Sequence, residues 1–473
     1  MSITYELLKQ LRGCVDAQGY VDQPADIEPY LVDHRKLYRG ATPVVLRPNS
    51  TAQVAEILKL CHQHRIGVVP VGGNTGYCGG ATPSVEGDQL VLSLARLKRV
   101  RHIDAANYTL TVEAGCILAE AQHLAEQHNR LFPLSLGSEG SCQIGGNLST
   151  NAGGTAVLRY GMARDLVLGL EVVLADGRVL DDLTGLRKNN MGYDLKHLFM
   201  GAEGTLGVIT AATLKLFPLP KTYFTALVAL NDPQAAVALL SHLRAQASDS
   251  LATFELMPRI ALDLVFEHIH GCRDPFDAAH PWYVLLESTT AQTTQTISDE
   301  FAAALTNAQE QGLIRDALLA QSETQRELFW RIRESIPEAQ RVAGGSIKHD
   351  VSVTISDLPR FIEEGSALCQ QLAPEGVLVT YGHLGDGSLH FNVNAPLHGD
   401  KAAFMAKAPA IHHAMHELVV RYRGSLSAEH GIGQLKVQEL AHYKNSVALQ
   451  VMRSIKQALD PHGIMNPGKV LRL

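Results

Sequence analysis

Glycine clustering is the sequence feature that most restricts how this chain can fold. Its 40 glycines concentrate in stretches at residues 72–80, 137–154, 192–207, 382–387 and 424–433. Such clusters occur where the backbone must turn with a positive φ or approach another group closely. Several of them in one chain predict a large ligand that is wrapped by loops.

Length, composition and charge exclude several classes of protein. The chain has 473 residues, which is long enough for two or three domains and a large buried core. Its 46% hydrophobic and 19% charged residues exclude a mostly disordered chain and a coiled coil. The net charge of −7 argues against binding to a nucleic acid backbone, and no apolar run is long enough to predict a membrane span.

Cysteine usage and the N-terminal sequence together predict a cellular location. The seven cysteines are scattered, odd in number and without a CxxC pair, which predicts reduced thiols and not a disulfide framework. Residues 1–12 contain Glu6 and Lys9 and lack an apolar core segment, so they do not resemble a secretory signal. These features predict a cytoplasmic protein.

Hydrophobic patterning divides the chain into an α/β part and a later α+β part. A helix is predicted by Val54, Ile57, Leu58 and Cys61, which share one helix face, and Asp176-Gly177 between two apolar runs predicts a hairpin. After about residue 222, strands alternate with long helices, which are expected at 233–246, 293–311, 323–341, 357–372, 401–423 and 434–459. We expect a first domain at 1–221, a second at 222–424 and a C-terminal segment at 425–473.

The first glycine-rich stretch has the composition of an anion-binding loop. Residues 69–76 follow a predicted strand, and their glycines expose consecutive backbone N–H groups. The stretch lacks the GxGxxG of a Rossmann fold and the GK[ST] of a P-loop. By itself it could equally be an ordinary turn. Residues 137–154 and 201–207 add hydroxyl and amide side chains, so the three stretches together predict a bound dinucleotide.

These stretches resemble the FAD-dependent oxidoreductases of the vanillyl-alcohol oxidase type, also called FAD-binding oxidase/transferase type 4. Further matches lie at 159–161, 192–195, 381–392, 427–433 and 466–469, and the likeness spans roughly residues 30–470. It implies an α+β, two-domain fold with an N-terminal α/β FAD-binding domain, an α+β cap domain with an antiparallel sheet, and a C-terminal segment that returns to the FAD domain.

The same resemblance implies noncovalent FAD. The residues implied to bind it are Pro70, Gly72, Gly73, Asn74, Thr75, Gly76, Gly137, Ser138, Ser141, Gly145, Gly146, Asn147, Thr150, Asn151, Gly153, Gly154, Tyr160, Gly161, Glu203, Gly204, Gly207, Ile209 and Asn466.

The densest group of chemically active residues lies at 381–392. His383 and His390 flank a glycine-rich turn, and Asn392 shares a strand face with His390. Glu429 and His430 follow later in the chain. Two imidazoles and a carboxylate can hold a divalent metal with open coordination positions. The alternative is that these histidines only satisfy buried backbone groups.

Within the family, the chain is most similar to the D-2-hydroxyacid dehydrogenases, which include D-2-hydroxyglutarate and D-lactate dehydrogenases. This resemblance implies that His383, His390 and Glu429 bind a zinc ion and that His430 is the base that takes the substrate hydroxyl proton. The residue types themselves select weakly among divalent metals, so manganese or another ion stays open.

Two cations bear on which hydroxyacid is the substrate. Arg333 and Lys348 resemble the residues that hydroxyglutarate enzymes use for the distal carboxylate. We expect Asn392 to be a third substrate-binding residue. Charge-assisted hydrogen bonds would hold that carboxylate. The family's hydroxyl residue four positions after the arginine is Pro337 here, which cannot donate. The resemblance implies oxidation of D-2-hydroxyglutarate to 2-oxoglutarate; D-malate, D-lactate or glycolate as substrate, and a non-catalytic flavin-binding subunit, stay open.

The resemblance also implies an electron acceptor and an oligomeric state. An electron-transfer flavoprotein or a quinone would accept the electrons, and the family implies a homodimer. A direct reaction with oxygen, as in an oxidase, is a further alternative.

Overall fold

The structure is a computed structural model, and it describes residues 3–247, 250–293 and 296–472. The helices are α1 (Tyr5–Gly13), α2 (Pro24–Ile27), α3 (Thr51–His64), α4 (Leu118–Gln127), α5 (Ile144–Ser149), α6 (Val157–Tyr160), α7 (Lys196–Phe199), α8 (Pro233–Ala247), α9 (Arg259–His268), α10 (Thr296–Glu310), α11 (Glu323–Glu334), α12 (Ile336–Val342), α13 (Leu358–Leu372), α14 (Lys401–Met405), α15 (Ala408–Arg421), α16 (Val437–Tyr443) and α17 (Ser446–Leu459). The strands are β1 (Tyr20–Val21), β2 (Val45–Leu46), β3 (Gly67–Val71), β4 (Gln89–Ser93), β5 (Val100–Asp104), β6 (Thr109–Glu113), β7 (Arg130–Leu131), β8 (Val167–Val173), β9 (Val179–Asp182), β10 (Val208–Lys215), β11 (Phe217–Pro218), β12 (Thr222–Leu230), β13 (Leu251–Pro258), β14 (Trp282–Thr290), β15 (Asp316–Leu319), β16 (Ser346–Ser352), β17 (Val377–His383) and β18 (Ser388–Asn394).

The chain forms two compact units. The first consists of Met1–Gly153, Met162–Leu219 and Glu429–Leu473, and the second of Gly154–Gly161 and Pro220–Ala428. The sequence did not indicate that residues 154–161 belong to the second unit. They are held there because Arg159 Nη1 donates to the carbonyl of Thr289 at 2.7 Å and to its Oγ1 at 2.6 Å. The division into a first domain at 1–221, a second at 222–424 and a segment at 425–473 that returns to the first domain stays a prediction.

The first unit contains a small mixed sheet, in the order β1-β2-β4-β3, whose last three strands are parallel. Helix α3 packs beside it through Val54, Ile57, Leu58 and Cys61, which are all fully buried, so the predicted helix face is confirmed. Ser50 caps this helix by accepting the N–H of Gln53. Strand β3 is an edge strand of this sheet, and the loop after it begins the first glycine-rich stretch.

The C-terminal segment adds to this sheet. The N–H of Val68 donates to the carbonyl of Ile464, and the N–H of Asn466 donates to the carbonyl of Val68, each at 2.8 Å. Residues far apart in sequence therefore complete the hydrogen bonding of β3.

A second, antiparallel sheet in the first unit has the order β5-β6-β10-β8-β9. Strands β8 and β9 form the hairpin that Asp176-Gly177 predicted, and Gly177 has a φ of +87°. A left-handed φ of this kind costs glycine little, which explains the dipeptide at this turn.

The second unit is built on an antiparallel sheet in the order β15-β12-β14-β13-β17-β18-β16. Alternate residues of β12 belong to two different hydrophobic cores: Val228 belongs to the core that contains residues of α8, α10, α13 and α15, whereas Leu227 belongs to the core that contains residues of α9, α11 and α12. Because side chains alternate along a strand, helices cover both faces of this sheet.

The structure divides several helices that the sequence predicted as continuous. The predicted helix at 323–341 is interrupted at Ser335, and Pro337 lies in the first turn of α12, where the absent N–H is tolerated. The predicted helices at 401–423 and 434–459 are likewise divided into α14 and α15 and into α16 and α17. No helix within the described ranges has the length and apolar character needed to cross a membrane.

Candidate functional site

A cavity in the first unit is surrounded by three of the glycine-rich stretches. Its volume is about 940 Å³ when the open solvent at its mouth is counted. The lining includes these residues of the predicted FAD-binding set: Pro70, Gly72, Gly73, Asn74, Thr75, Gly76, Gly145, Gly146, Asn147, Thr150, Glu203, Gly204, Gly207, Ile209 and Asn466. The cavity is also lined by residues that were not named individually in the predicted FAD-binding set: Val71, Cys78, Gly79, Gly80, Gln143 and Ser149, which lie within the glycine-rich stretches, and Ala81, Leu94 and Val208, which lie outside them.

Glycines let the first two stretches approach each other at this cavity. A Cβ on Gly73 would lie 2.3 Å from the carbonyl oxygen of Ser141, so no larger residue fits without a shift of backbone. A Cβ on Gly76 or Gly146 would instead meet no atom within 4 Å. These two glycines leave backbone open toward the cavity, as a cradle for a phosphate requires.

Two buried acceptor atoms test whether the cavity suits FAD. No group within the described residues donates to Gln143 Oε1 or Asn466 Oδ1, and both residues line the cavity. A buried acceptor without a donor is costly. FAD carries donors on its flavin ring, ribityl chain and adenine, so the lining is chemically suited to it.

The remaining residues of the predicted FAD-binding set lie outside this lining. Gly137, Ser138, Ser141, Asn151 and Gly153 belong to the first unit, and Gly154, Tyr160 and Gly161 belong to the second. Asn151 Oδ1 accepts the N–H of Arg164 at 2.9 Å, and a role of these residues in FAD binding stays a prediction.

Glu203 holds the turn that follows His430. Its two carboxylate oxygens accept the N–H groups of Ile432 at 2.7 Å and Gly433 at 2.8 Å. Burial raises the pKa of Glu203, and those two N–H groups and Lys436 oppose that rise. The ring of His430 lines the cavity and lies 4.6 Å from that of Tyr77, measured between centroids.

In the second unit, one face of the sheet carries polar side chains. His390 is the register partner of both Asp350 and Tyr381, and Glu255 is the register partner of His383. Register partners on neighbouring strands share a face, so these side chains lie on the same side of the sheet. The ring centroids of His383 and His390 are 5.6 Å apart.

Glu255 connects two of the predicted site residues, and the sequence did not single it out. Its Oε1 accepts from His383 Nδ1 at 2.6 Å, and its Oε2 accepts from Arg333 Nε at 2.8 Å. Burial tends to raise the pKa of Glu255, but the neighbouring side chains of His383 and Arg333 outweigh burial and lower it. The guanidinium of Arg333 also lies 4.9 Å from the ring centre of Tyr381.

Lys348 and Asn392 are register partners on β16 and β18. Asn392 is buried and its Nδ2 donates to Gln340 Oε1 at 3.1 Å, whereas Lys348 is exposed on the edge strand. Glu429 and His430 begin the last segment of the first unit. They directly follow Ala428, whose N–H donates to the carbonyl of Asp350 in the second unit.

The chain shares its fold with an enzyme of known structure. A crystal structure of p-cresol methylhydroxylase with substrate bound superposes with a TM-score of 0.78 at 15% identity, over 98% of this chain and 96% of that one. The predicted α+β fold of the vanillyl-alcohol oxidase type is therefore confirmed.

Sequence families match both parts of the chain. Residues 42–182 match the FAD binding domain, and residues 219–470 match the C-terminal domain of FAD linked oxidases. FAD is thus confirmed as the predicted cofactor.

Curated relatives are similar over nearly the whole chain. A probable mitochondrial D-2-hydroxyglutarate dehydrogenase of Oryza sativa subsp. indica is 42% identical over 96% of this chain and 79% of its own length. The mitochondrial D-2-hydroxyglutarate dehydrogenase of Bos taurus is 40% identical over 95% and 81%. The D-2-hydroxyglutarate dehydrogenase of Xanthomonas citri pv. viticola is 37% identical over 97% and 96%.

These names overturn the prediction of a cytoplasmic protein, since the rice and cattle relatives are mitochondrial. The prediction was wrong because it was drawn only from missing sequence signals. The two matched domains, the shared fold and the relatives agree on one assignment: the chain belongs to the family of FAD-linked oxidases in which D-2-hydroxyglutarate dehydrogenases occur.

Proposed function

We propose that this protein is an FAD-dependent D-2-hydroxyglutarate dehydrogenase, which oxidises D-2-hydroxyglutarate to 2-oxoglutarate. One observation carries the proposal: relatives from a plant, an animal and a bacterium that bear this name align with at least 95% of the chain. The activity predicted from the sequence is the one that these relatives support.

The residues that line the cavity would hold the cofactor. FAD, when bound, supplies the acceptor for the hydride that leaves C2 of the substrate. The open backbone at Gly76 and Gly146 suits its diphosphate, and Gln143 Oε1 and Asn466 Oδ1 suit its donors. Noncovalent attachment is proposed from the family resemblance. Acid precipitation should therefore release the flavin into the supernatant.

His383, His390 and Glu429 are proposed to hold a divalent cation, with Zn²⁺ as the first candidate. The donor chemistry supports this, because Glu255 accepts at Nδ1 of His383 and so assigns the lone pair of the neutral ring to Nε2. A bound cation would supply Lewis acidity that lowers the pKa of the substrate hydroxyl.

His430 is the proposed base. A neutral imidazole within hydrogen-bonding reach of the hydroxyl can take its proton as the C2 hydrogen leaves. Glu203 and Tyr77 support this role, because they hold the backbone after His430 and pack beside its ring.

Arg333, Lys348 and Asn392 are proposed to bind substrate. They lie on or beside the polar face of the second unit's sheet, and a dicarboxylate needs cationic partners of this kind. Pro337 offers no donor, so the distal carboxylate would depend chiefly on the two cations.

Anaerobic bleaching of the flavin absorbance tests the function. D-2-hydroxyglutarate, D-malate and D-lactate are compared, with L-2-hydroxyglutarate as the stereochemical control, before and after chelation. We expect D-2-hydroxyglutarate to bleach the flavin fastest and chelation to abolish the effect. Bleaching mainly by D-lactate would contradict the proposed substrate, and absence of flavin would contradict the function as a whole.

A pair of lysine variants tests the distal-carboxylate site. We expect Lys348→Ala to raise KM for D-2-hydroxyglutarate at least tenfold, by loss of a charge-assisted contact worth about 1.5–3 kcal/mol, with a smaller effect on D-lactate. Lys221→Ala removes another exposed lysine of the same unit and should change neither. Equal effects of Lys348→Ala on both substrates would contradict the role.

The electron acceptor and the oligomeric state are further parts of the proposal. An electron-transfer flavoprotein or a quinone is proposed as the acceptor, and a homodimer as the assembly. Reoxidation of the substrate-reduced flavin by each acceptor, and the mass of the native protein in solution, test these two points separately.

A further inference from the structure

Glu255 is placed where it can act on two site residues at once. It lies in β13, a strand whose described residues are all buried, and its side chain is 1% exposed. One oxygen accepts from His383 and the other from Arg333. Each oxygen of this carboxylate therefore has a side-chain donor from one of the two site residues.

The sheet register determines this geometry. Glu255 and His383 are register partners on β13 and β17, although 128 positions separate them in sequence. Gly382, directly before the histidine, has a φ of +150°, and a Cβ there would lie 2.7 Å from the carbonyl oxygen of Ser388. The backbone that carries His383 is thus fixed on both sides.

The negative charge of Glu255 is balanced by Arg333, without a charge on His383. A buried carboxylate needs a charged partner, and Arg333 provides one with Nε at 2.8 Å and Nη2 at 2.7 Å. The imidazole can then remain neutral, with its proton on Nδ1 facing Glu255. Its Nε2 keeps the lone pair that a metal ligand requires.

We propose that Glu255 is a positioning residue for the cation site: it fixes the tautomer and orientation of His383 and holds Arg333 beside Tyr381 at the same time. The inference rests on the proposed function, since it takes His383 as a metal ligand. Carboxylates that accept from metal-bound histidines typically contribute 10- to 100-fold in metal affinity.

A merely structural role for Glu255 predicts a different result, and the same sheet offers a matched control. Glu287 in β14 is also a buried carboxylate, and it accepts from Arg326, Trp330 and Thr225 but from no histidine. Replacing either glutamate with glutamine should lower the melting temperature. Only replacement of Glu255 should weaken metal binding.

The experiment measures Zn²⁺ affinity of the holoenzyme by competition with a chromophoric chelator, together with the metal content after dialysis. We expect Glu255→Gln to lower Zn²⁺ affinity 10- to 100-fold and Glu287→Gln to leave it unchanged. If Glu255→Gln does not fold, Glu255→Asp keeps the negative charge beside Arg333, withdraws the carboxylate by about one bond length, and should lower the affinity in the same direction.

Unchanged Zn²⁺ affinity in the Glu255 variant, or an equal loss in both glutamate variants, would overturn the proposal and leave the proposed function intact. A wild-type protein that takes up no Zn²⁺ would overturn it together with the proposed metal ligands. Flavin bleaching by D-2-hydroxyglutarate reports on the dehydrogenase activity independently of either result.

Discussion

The carboxylate of Glu203 accepts the backbone N–H of Ile432 at 2.7 Å, across 229 positions of sequence. Its second oxygen accepts the N–H of Gly433, so both oxygens are used on the turn that carries His430. Glutamine at this position has one acceptor oxygen and must leave one of the two N–H groups unpaired. The cavity and the proposed base therefore depend on the same carboxylate.

We predict that Glu203→Gln loses about 1–3 kcal/mol of stability, which is the cost of leaving a buried donor without an acceptor. FAD should dissociate faster, and reduction of the remaining flavin by substrate should be slower. Thermal unfolding and flavin release by fluorescence measure the first two effects. A variant that keeps its FAD and reduces it at the wild-type rate would contradict this role.

A second prediction concerns two glycines of the resemblance-based set. Gly73→Ala should abolish FAD retention, because its Cβ would lie 2.3 Å from the carbonyl oxygen of Ser141. Gly137→Ala should keep FAD, because its Cβ would meet no atom within 4 Å and the residue lies outside the cavity lining. The ratio of flavin to protein absorbance compares the two variants. Loss of FAD in both variants would contradict this prediction and would support a role for Gly137 in FAD binding.

The cysteines give a third prediction. Burial raises the pKa of Cys61 and Cys369 to about 12 and that of Cys116 to about 11, so their thiolates are scarce at neutral pH. Among the seven thiols, Cys14 is half-buried and the others are buried. A colorimetric thiol reagent at pH 8 should modify one cysteine within minutes in the native protein, and all seven in denaturant. Rapid reaction of several native thiols would contradict the burial.

Lys469 gives a prediction of pH dependence. Burial lowers the pKa of its ammonium group to about 8, against about 10.4 in an unfolded chain. Between these values the native state binds fewer protons than the unfolded state, so this residue makes stability rise with pH from about 8 to 10. Below pH 8 its full cost, on the order of 3 kcal/mol, is present.

Lys469→Met should accordingly stabilise the flavin-free protein at pH 7, and the gain should shrink as the pH approaches 10. Denaturant unfolding at several pH values measures this difference. If the stability gained by Lys469→Met is the same at every pH, burial does not lower the pKa of Lys469 and the prediction is contradicted.

Local sequence patterns correctly predicted the helices and turns whose formation depends on residues close together in the sequence. The face of α3 and the hairpin at Asp176-Gly177 were confirmed because periodicity and turn chemistry act within a few residues. Strand β13 and helix α9 were missed. The strand is buried along its whole length, so its sequence shows no alternation that would mark it as a strand.

The parts of the candidate site that depend on local sequence were also predictable, whereas those that depend on distant residues were not. Glycine-rich stretches indicated most of the cavity lining, because the close approach of backbones restricts residue type locally. Glu255 gave no such signal, since its partners are defined by a register between strands that lie 128 positions apart. The sequence likewise did not indicate that residues 154–161 belong to the second unit. They are held there by the hydrogen bond from Arg159 to Thr289, which is 130 positions away in the sequence.

Completion of β3 by residues 464–466 has a consequence for synthesis on the ribosome. Val68 is translated before the second unit, yet its hydrogen-bond partners Ile464 and Asn466 are translated only after it. Asn466 Nδ2 also donates to the carbonyls of Gly80 and Glu203, which joins three distant stretches at the cavity. The cavity of the nascent first unit therefore stays incomplete until residues 464–466 have been translated, whereas every residue of the second unit has been translated by position 428.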